Sequence, residues 1–536
     1  MVREQNGLIY GLDDVPRLIP LAMLGLQHFM LNVPNLAIVV LICRVAGVDA
    51  ATAESVLSFS LMALGAATLL QCSGRFGSGY FITSCSSGIY LSASLSAAAG
   101  GLPLVCGMTL LAGLFQVFFA GLFVRVRRFF PNEIVALAII IVGIELGAIG
   151  LNRLAASGTP GLLAGGTTLL VSVIFGVYGK GGSRLYCALL GMVSGYLLCL
   201  FFGLVGPHAA NHASSSEHFG LPSVAHLGLE FDIDYLLPFS LAAIGASLKT
   251  MGAVITSARI NDPAWVRPDM PTVKRGVIAD GLSTTLSALL GSVGTNSSTS
   301  SVGVSQASGA TSRAIGLSVA AWMFLFALSP AFTQVLVSLP DPVVGGALVF
   351  AGCLVMANGF QVLGTVQMDM RRAGVVAFPL MLAIACIADA PLFAQLPESL
   401  RPLVSSALAV GVLAALVVNA FLSLGSLRRT LIFLDPQRSV GERMSQVRDV
   451  LDEWHVAHNV KVRLMLILRE LLDERGCNLK LGFDGCTLHV DLTRADTTSD
   501  TATLSSGRFF TDRVSDAISY RKDSNGTSLI SASFEQ

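Results

Sequence analysis

Gly291-SVGTNSSTSSVGVSQASGATS-Arg313 is built almost wholly of Gly, Ser, Thr and Ala, yet it sits between long apolar runs. Gly74-RFGSGYFITSCSSGI-Tyr90 has the same character far upstream. Neither would make a good plain membrane helix. Non-helical backbone is tolerated at membrane depth only where protein buries it or where it lines a cavity. Close packing of helices through small residues explains one such stretch. Two of them, opening the third and the tenth of about fourteen apolar segments, are the mark of two inverted repeats with a site between broken helices.

The surrounding chain sets that reading. Of 536 residues 53% are hydrophobic and 13% charged, and mean hydropathy is +0.70. Soluble domains carry about 25% charged residues, so most of this chain faces lipid or other apolar helices. A spanning helix needs about 20 apolar residues. Candidates fall at 18–43, 52–72, 80–99, 103–124, 130–150, 161–179, 184–205, 236–257, 273–291, 298–311, 313–337, 343–362, 373–390 and 402–425. Those at 80–99, 273–291 and 298–311 are the weak ones, rich in Gly, Ser and Thr. Basic residues follow alternate segments: Arg125, Arg127 and Arg128; Lys180 and Arg184; Arg259, Arg267, Lys274 and Arg275; Arg313; Arg371 and Arg372; Arg428 and Arg429. Arg153 is the exception. The positive-inside rule then puts both termini in the cytoplasm, as in a bacterial-type inner membrane. No cleavable signal peptide is expected, since the first apolar run is too long for one. The expected architecture is an all-α polytopic membrane protein in two seven-helix repeats (about 18–205 and 236–428). A cytoplasmic N-terminus precedes it (1–17) and a small cytoplasmic α/β domain of regulatory type follows (429–536).

Zero net charge argues against a nucleic-acid partner. The ten cysteines show no paired spacing, and Cys43, Cys72, Cys106, Cys187, Cys199, Cys353 and Cys386 read as small buried hydrophobes. His208, His212, His218 and His226 share a loop with Glu217 but fit no metal motif, so a solvated loop is expected and no metal. No cofactor and no enzymatic activity are expected, since no nucleophile-plus-base arrangement appears.

Gln27-His28, Gly77-Ser78-Gly79, Asp280-Gly281 and Gly303…Ser308-Gly309…Ser312-Arg313 occur in order. Together they resemble the nucleobase–ascorbate transporter family (nucleobase:cation symporter-2, the xanthine/uracil permeases) over roughly residues 15–425. The resemblance implies a core and a gate domain, substrate between the third and tenth helices facing the eighth, and uptake driven by H+ or Na+. It also makes a homodimer one expected assembly in the lipid bilayer. Three positions depart from the family pattern. A substrate-binding glutamate followed by Thr/Ser-x-Gly-Asp becomes Lys249-Thr250-Met251-Gly252-Ala253. The Gln/Glu-Asn-x-Gly opening of the tenth helix becomes Ser300-Ser301-Val302-Gly303, and an aromatic of the third falls on Gly88.

Lys249 lies about 20 Å into its helix at 1.5 Å per residue, and an ionisable group there marks a solute path by default. An ammonium in place of a carboxylate reverses the local field. With Thr250, Thr299, Ser300, Ser301, Ser86 and Ser87 it reads as a site for an anionic, purine-type solute such as urate or xanthine. Snorkelling to the interface is the plainer account of the lysine, and backbone satisfaction that of the serines. By the resemblance His28 and Gln27 support the site or the coupling ion. Asp280 reads as an organiser with Lys249 or a backbone N–H as partner. Glu145 is expected to reach water at the outer end of its helix. Two alternatives stay open: carriage of inorganic or carboxylate anions, as in sulfate permeases, and a membrane receptor signalling through its C-terminal domain.

In that domain one helix is expected at about 440–474. A hairpin turning at Asp484-Gly485, a helix near 508–520 and a strand at 527–534 follow. It weakly resembles a degenerate histidine-kinase or anti-sigma ATP-binding fold. Glu470 is the matching residue, and Glu474 stands in place of the magnesium-binding asparagine.

Overall fold

The structure is a computed structural model. It describes residues 8–126, 131–179, 187–204, 220–262, 269–364, 368–388, 406–423, 428–435, 437–454, 456, 458–471, 477–483, 487–495, 517–522 and 527–535.

The first half runs as α1 (Leu18–Asn32), a 3₁₀ turn over Val33–Asn35, α2 (Leu36–Val45), α3 (Ala50–Cys72), β1 (Ser84–Ser86), α4 (Leu91–Ala98), α5 (Leu102–Val126), α6 (Asn132–Ala156), α7 (Gly158–Tyr178) and α8 (Cys187–Phe201). The second half repeats the plan. It has α9 (Leu236–Asn261), α10 (Met270–Leu289), β2 (Thr295–Ser297), α11 (Thr299–Ser308), α12 (Arg313–Ala327), α13 (Pro330–Val337), α14 (Asp341–Leu363), α15 (Met370–Ile387) and α16 (Ala407–Ser423). Among the described residues seven of these helices, and α1 with α2 taken as one span, are long and apolar enough to cross a membrane. α12 and α13 form a span bent by 79°, with Pro330 opening the second piece, where its missing N–H costs nothing.

Packing comes in pairs that exchange the two halves. α3 lies on α12 as α10 lies on α5; α1 lies on α12 as α9 lies on α5; α7 pairs with α8 as α15 pairs with α16. α6 crosses its own counterpart, α14. That crossing is backbone on backbone: a Cβ on Gly143 would stand 2.8 Å from the Gly352 carbonyl, and one on Gly352 would stand 2.6 Å from the Gly143 carbonyl. Both are the twelfth residue of their helix. Two inverted repeats thus build a core (α1–α5 and α9–α13) against a gate (α6–α8 and α14–α16).

Residues 80–90 are not helical, as a third helix from 80 would require. They are extended through β1 into a 3₁₀ turn at Gly88–Tyr90. β1 pairs antiparallel with β2 in the register Ser84↔Ser297, Cys85↔Asn296, Ser86↔Thr295. The pair is closed symmetrically, by Ser87 N–H to the Gly294 carbonyl (2.9 Å) and Ser298 N–H to the Thr83 carbonyl (2.8 Å). Each interrupted segment satisfies its exposed backbone with the other, which neither could do alone in the bilayer.

Further on, β3 (Arg428–Leu434), α17 (Val440–Glu453), α18 (His458–Leu471), β4 (Cys477–Phe483), β5 (Thr487–Ala495), β6 (Ala517–Lys522) and β7 (Thr527–Glu535) form an antiparallel sheet in the order β3-β4-β5-β7-β6 with two helices. Leu434, Leu451, Val460, Leu468, Leu479 and Leu488 sit in its apolar core. The single helix expected at 440–474 is two, stopping at Trp454, whose ring stacks on Phe483 of the sheet. Residues 517–520, expected in a helix, belong to β6, with Ile518 opposite Ala532 and Tyr520 opposite Ile530. The Asp484-Gly485 turn, residues 508–516, the Glu470 side chain and Glu474 lie outside the described residues.

Candidate functional site

The two half-helices α4 and α11 start at the β1–β2 pair, so their N-termini converge on one place. Ser87 caps the 3₁₀ turn that leads into the first, accepting from Ile89 N–H (3.3 Å); Ser298 caps the second, accepting from Ser301 N–H (3.3 Å). Free N–H groups at such ends favour negative charge or carbonyl oxygen.

Asp280 organises this centre. Buried to 2% exposure, its carboxylate accepts from Gln116 Nε2 (2.8 Å), Asn296 Nδ2 (2.8 Å) and Ser297 Oγ (3.0 Å). The Tyr90 hydroxyl donates onward to Gln116 (3.2 Å), and Asn296 also donates to Thr250 Oγ1 (3.1 Å) and the Ala246 carbonyl (3.0 Å). The expected partners, Lys249 or a backbone N–H, are not among these. Side-chain amides do the work because Gln116 and Asn296 approach from α5 and β2, and no reading of α10 alone reveals them. One network therefore ties β1–β2 to α5, α9 and α10.

His28 lies on the other flank, fully buried, with Nδ1 3.0 Å from Ser301 Oγ and its ring edge-on to Phe81 at 4.8 Å. Its Nε2 has no hydrogen-bond partner among the described residues. Asn32, one turn on, donates to Thr83 Oγ1 (3.1 Å) and to the His28 carbonyl (3.2 Å). Gln71, which no sequence pattern singled out, donates to Ser297 Oγ (3.3 Å). Gln27 is half-buried in α1.

The residues read from the sequence thus separate into two groups. Thr250, Ser301, Ser86, Ser87, His28 and Asp280 are buried in the frame around the strand pair. Lys249, Thr299 and Ser300 are half-exposed. Lys249 lies one turn beyond Gly245, which faces Ile89 and Leu408, and it has no hydrogen-bond or ion-pair partner among the described residues. From it a stripe of accessible positions, Gly252, Thr256 and Arg259, runs to the C-terminal end of α9. Gly303 and Gln306 continue Thr299 and Ser300 along α11 in the same way. A Cβ on Gly252 or Gly303 would meet nothing within 4 Å. Both stripes are accessible surface of their helices.

The gate meets the centre through α6 and α14. Leu146 and Val142 of α6 fill the place beside Gly88, where a Cβ would stand 3.0 and 3.2 Å from them. Aliphatic side chains from across the interface therefore occupy the space beside Gly88. Asn358 of α14 donates to Thr299 Oγ1 (3.3 Å). Glu145 does not reach water: it is 8% exposed, with the Ser92 hydroxyl of α4 as hydrogen-bond partner. Of the loop histidines His226 packs beside Phe59, its Nδ1 on the Ser223 carbonyl (3.1 Å), and the other three lie outside the described residues. Among the apolar-run cysteines Cys353 is exposed and Cys386 half-buried, because both face away from the packed interior.

A model of the xanthine/uracil permease family matches residues 20–392. The chain is 25% identical over 441 residues to the xanthine permease XanP of Escherichia coli, covering 78% of this chain and 95% of that protein. It is 27% identical over 421 residues to the uric acid permease PucK of Bacillus subtilis, covering 75% and 95%. Among solved structures, the transmembrane domain of the cyanobacterium bicarbonate transporter BicA superposes with a TM-score of 0.47 at 13% identity, covering 74% of this chain and 97% of that one. Matched over most of its length, and built as two inverted repeats around a paired-strand centre, the chain belongs to the nucleobase–ascorbate permease family.

Proposed function

We propose that this protein is an ion-coupled permease for an anionic, purine-type solute such as urate or the xanthine anion. Both termini would face the cytoplasm of a bacterial inner membrane, and the segment from 429 onward would form a separate regulatory domain there. The observation that carries the reading is Lys249, an ammonium without a counter-charge among the described residues, half-exposed beside the converging N-termini of α4 and α11. A cation and two helix N-termini all favour the same ligand sign. Hydroxyls at Thr299 and Ser300 suit the carbonyl and N–H edge of an oxidised purine. The relatives' names point to xanthine and uric acid, and the accessible stripe along α9 and α11 supplies the cytoplasmic exit.

Uptake of labelled urate and xanthine into proteoliposomes, with H+ and Na+ gradients imposed separately, tests this. Lys249→Gln is expected to cut urate uptake at least tenfold, and Lys249→Glu to abolish it. Unchanged uptake by both variants would remove the lysine from the solute site. Binding with no accumulation under any gradient would replace carriage by reception.

A further inference from the structure

Arg44, the charged residue in the last turn of α2, donates to the Asp341 carboxylate (2.5 Å) and to the carbonyls of Val337 (3.1 Å) and Leu339 (2.6 Å). Arg153, in the last turn of α6, donates to the same carboxylate oxygen of Asp341. Asp341 opens α14. Arg44 thus belongs to the core, while Asp341 and Arg153 belong to the gate. α2 is buried along its length from Leu36 to Cys43 and packs against α14, so the cluster sits where the core–gate seam ends.

Two guanidinium groups share one carboxylate, which leaves a net charge of +1 (two positive, one negative). Arg153 commits one of its five N–H donors to Asp341, and its side chain is 22% exposed. The three residues border a cavity of about 570 Å³, with Ser157 and Ser338 on its wall. That volume falls within the roughly 300–1,000 Å³ of small-molecule sites. It is separate from the strand-pair centre.

We propose that this cavity is an outer receiving site for a small planar anion, and that the Arg44–Asp341 bridge on its wall is the latch closing the seam. An entering carboxylate or oxidised-purine anion pairs with the fork-shaped guanidinium groups and competes with Asp341 for them. Asp341 then releases Arg44, and α2 is free to part from α14. The proposal rests on the reading above in two respects: the solute is anionic, and the α2 end faces outward.

Hydrogen exchange on the full-length protein in liposomes, with millimolar urate or sulfate outside or neither, tests it. In the wild type urate is expected to speed exchange along 36–48 and 341–348, and Arg153→Gln to remove that response. Asp341→Asn is expected to exchange roughly two- to fivefold faster without any anion, the range for half-exposed ion pairs. Arg44→Gln is the second variant should Asp341→Asn fail to fold, with the same expectation. A response to sulfate equal to that with urate would make the site one for anions in general. Wild-type protection in both latch variants would overturn the latch, and a urate response surviving Arg153→Gln would overturn the site. Because exchange at this seam does not depend on Lys249, Lys249→Gln retaining the response while keeping full uptake would sink the central reading alone.

Discussion

At the scale of single residues, the contrast between Lys249 and Asp280 carries the chemistry. Asp280 is surrounded by donors, and an amide in its place would point N–H groups at Gln116, Asn296 or Ser297. Leaving a buried donor unmade costs about 1–3 kcal/mol, so Asp280→Asn is expected to lower the thermal midpoint in detergent measurably. Lys249 has no such support, so its replacement should spare stability and strike uptake. A thermal scan of Lys249→Gln beside its transport assay separates the two roles. Gly294 is a residue whose need is purely spatial: a Cβ there would stand 2.4 Å from the Tyr90 ring, which itself holds Gln116. Gly294→Ala should destabilise by about 1–3 kcal/mol through overpacking, read as a lower midpoint, and should loosen Asp280 with it. Of these three residues the lysine was the most legible beforehand, because a charge in an apolar run is visible locally. The partners of Asp280 were not, since they lie 16 and 164 positions away in the chain.

At the scale of elements, the half-helices are defined by their first residues. Ser298 caps α11 and fixes where the strand ends and the helix begins. Ser298→Ala should cost about 1 kcal/mol and blur that boundary. Faster hydrogen exchange confined to 299–303 would verify it; unchanged exchange would mean that the β1–β2 pairing alone sets the start. The Gly/Ser/Thr stretches announced that something other than a plain helix was there, and their matched places in two halves announced symmetry. They did not announce strands, because three residues of Ser, Cys, Thr and Asn have no β-pattern of their own and become extended only when paired. The same limit explains the C-terminal helix that proved to be two. Its apolar periodicity runs on through residues 440–471, and only the stacking of Trp454 on Phe483 shows where the first helix gives way to the sheet's surface.

At the scale of the whole molecule, transport by relative movement of core and gate requires that contacts between them be few and breakable. The Thr299–Asn358 hydrogen bond and the Arg44–Asp341 bridge are polar, one beside the half-helix N-termini and one at the end of the seam. A Thr299→Cys, Asn358→Cys double variant places two thiols where the present side chains are already in hydrogen-bonding contact. Oxidation is expected to stop uptake and reduction to restore it, with each single variant as control. Uptake that persists in the cross-linked protein would show that the core does not slide against α14 at this point. The apolar runs made an integral membrane protein readable in advance. The division into core and gate came only through the family resemblance, since which helices touch is not written in any one segment.

What the sequence determined by itself is what depends on local composition. It set the apolar segments, the two polar interruptions, and a lone ammonium within an apolar helix. Lipid acts on each segment separately and rewards apolar length alone, so these properties are written residue by residue. What only the tertiary structure decided is pairing: β1 with β2, Asp280 with amides from two other elements, α6 with α14 through facing glycines, and Arg44 with Asp341 across the domain seam. Each of these satisfies a polar group or a close approach by bringing together residues distant along the chain, and no local preference specifies which distant residue arrives.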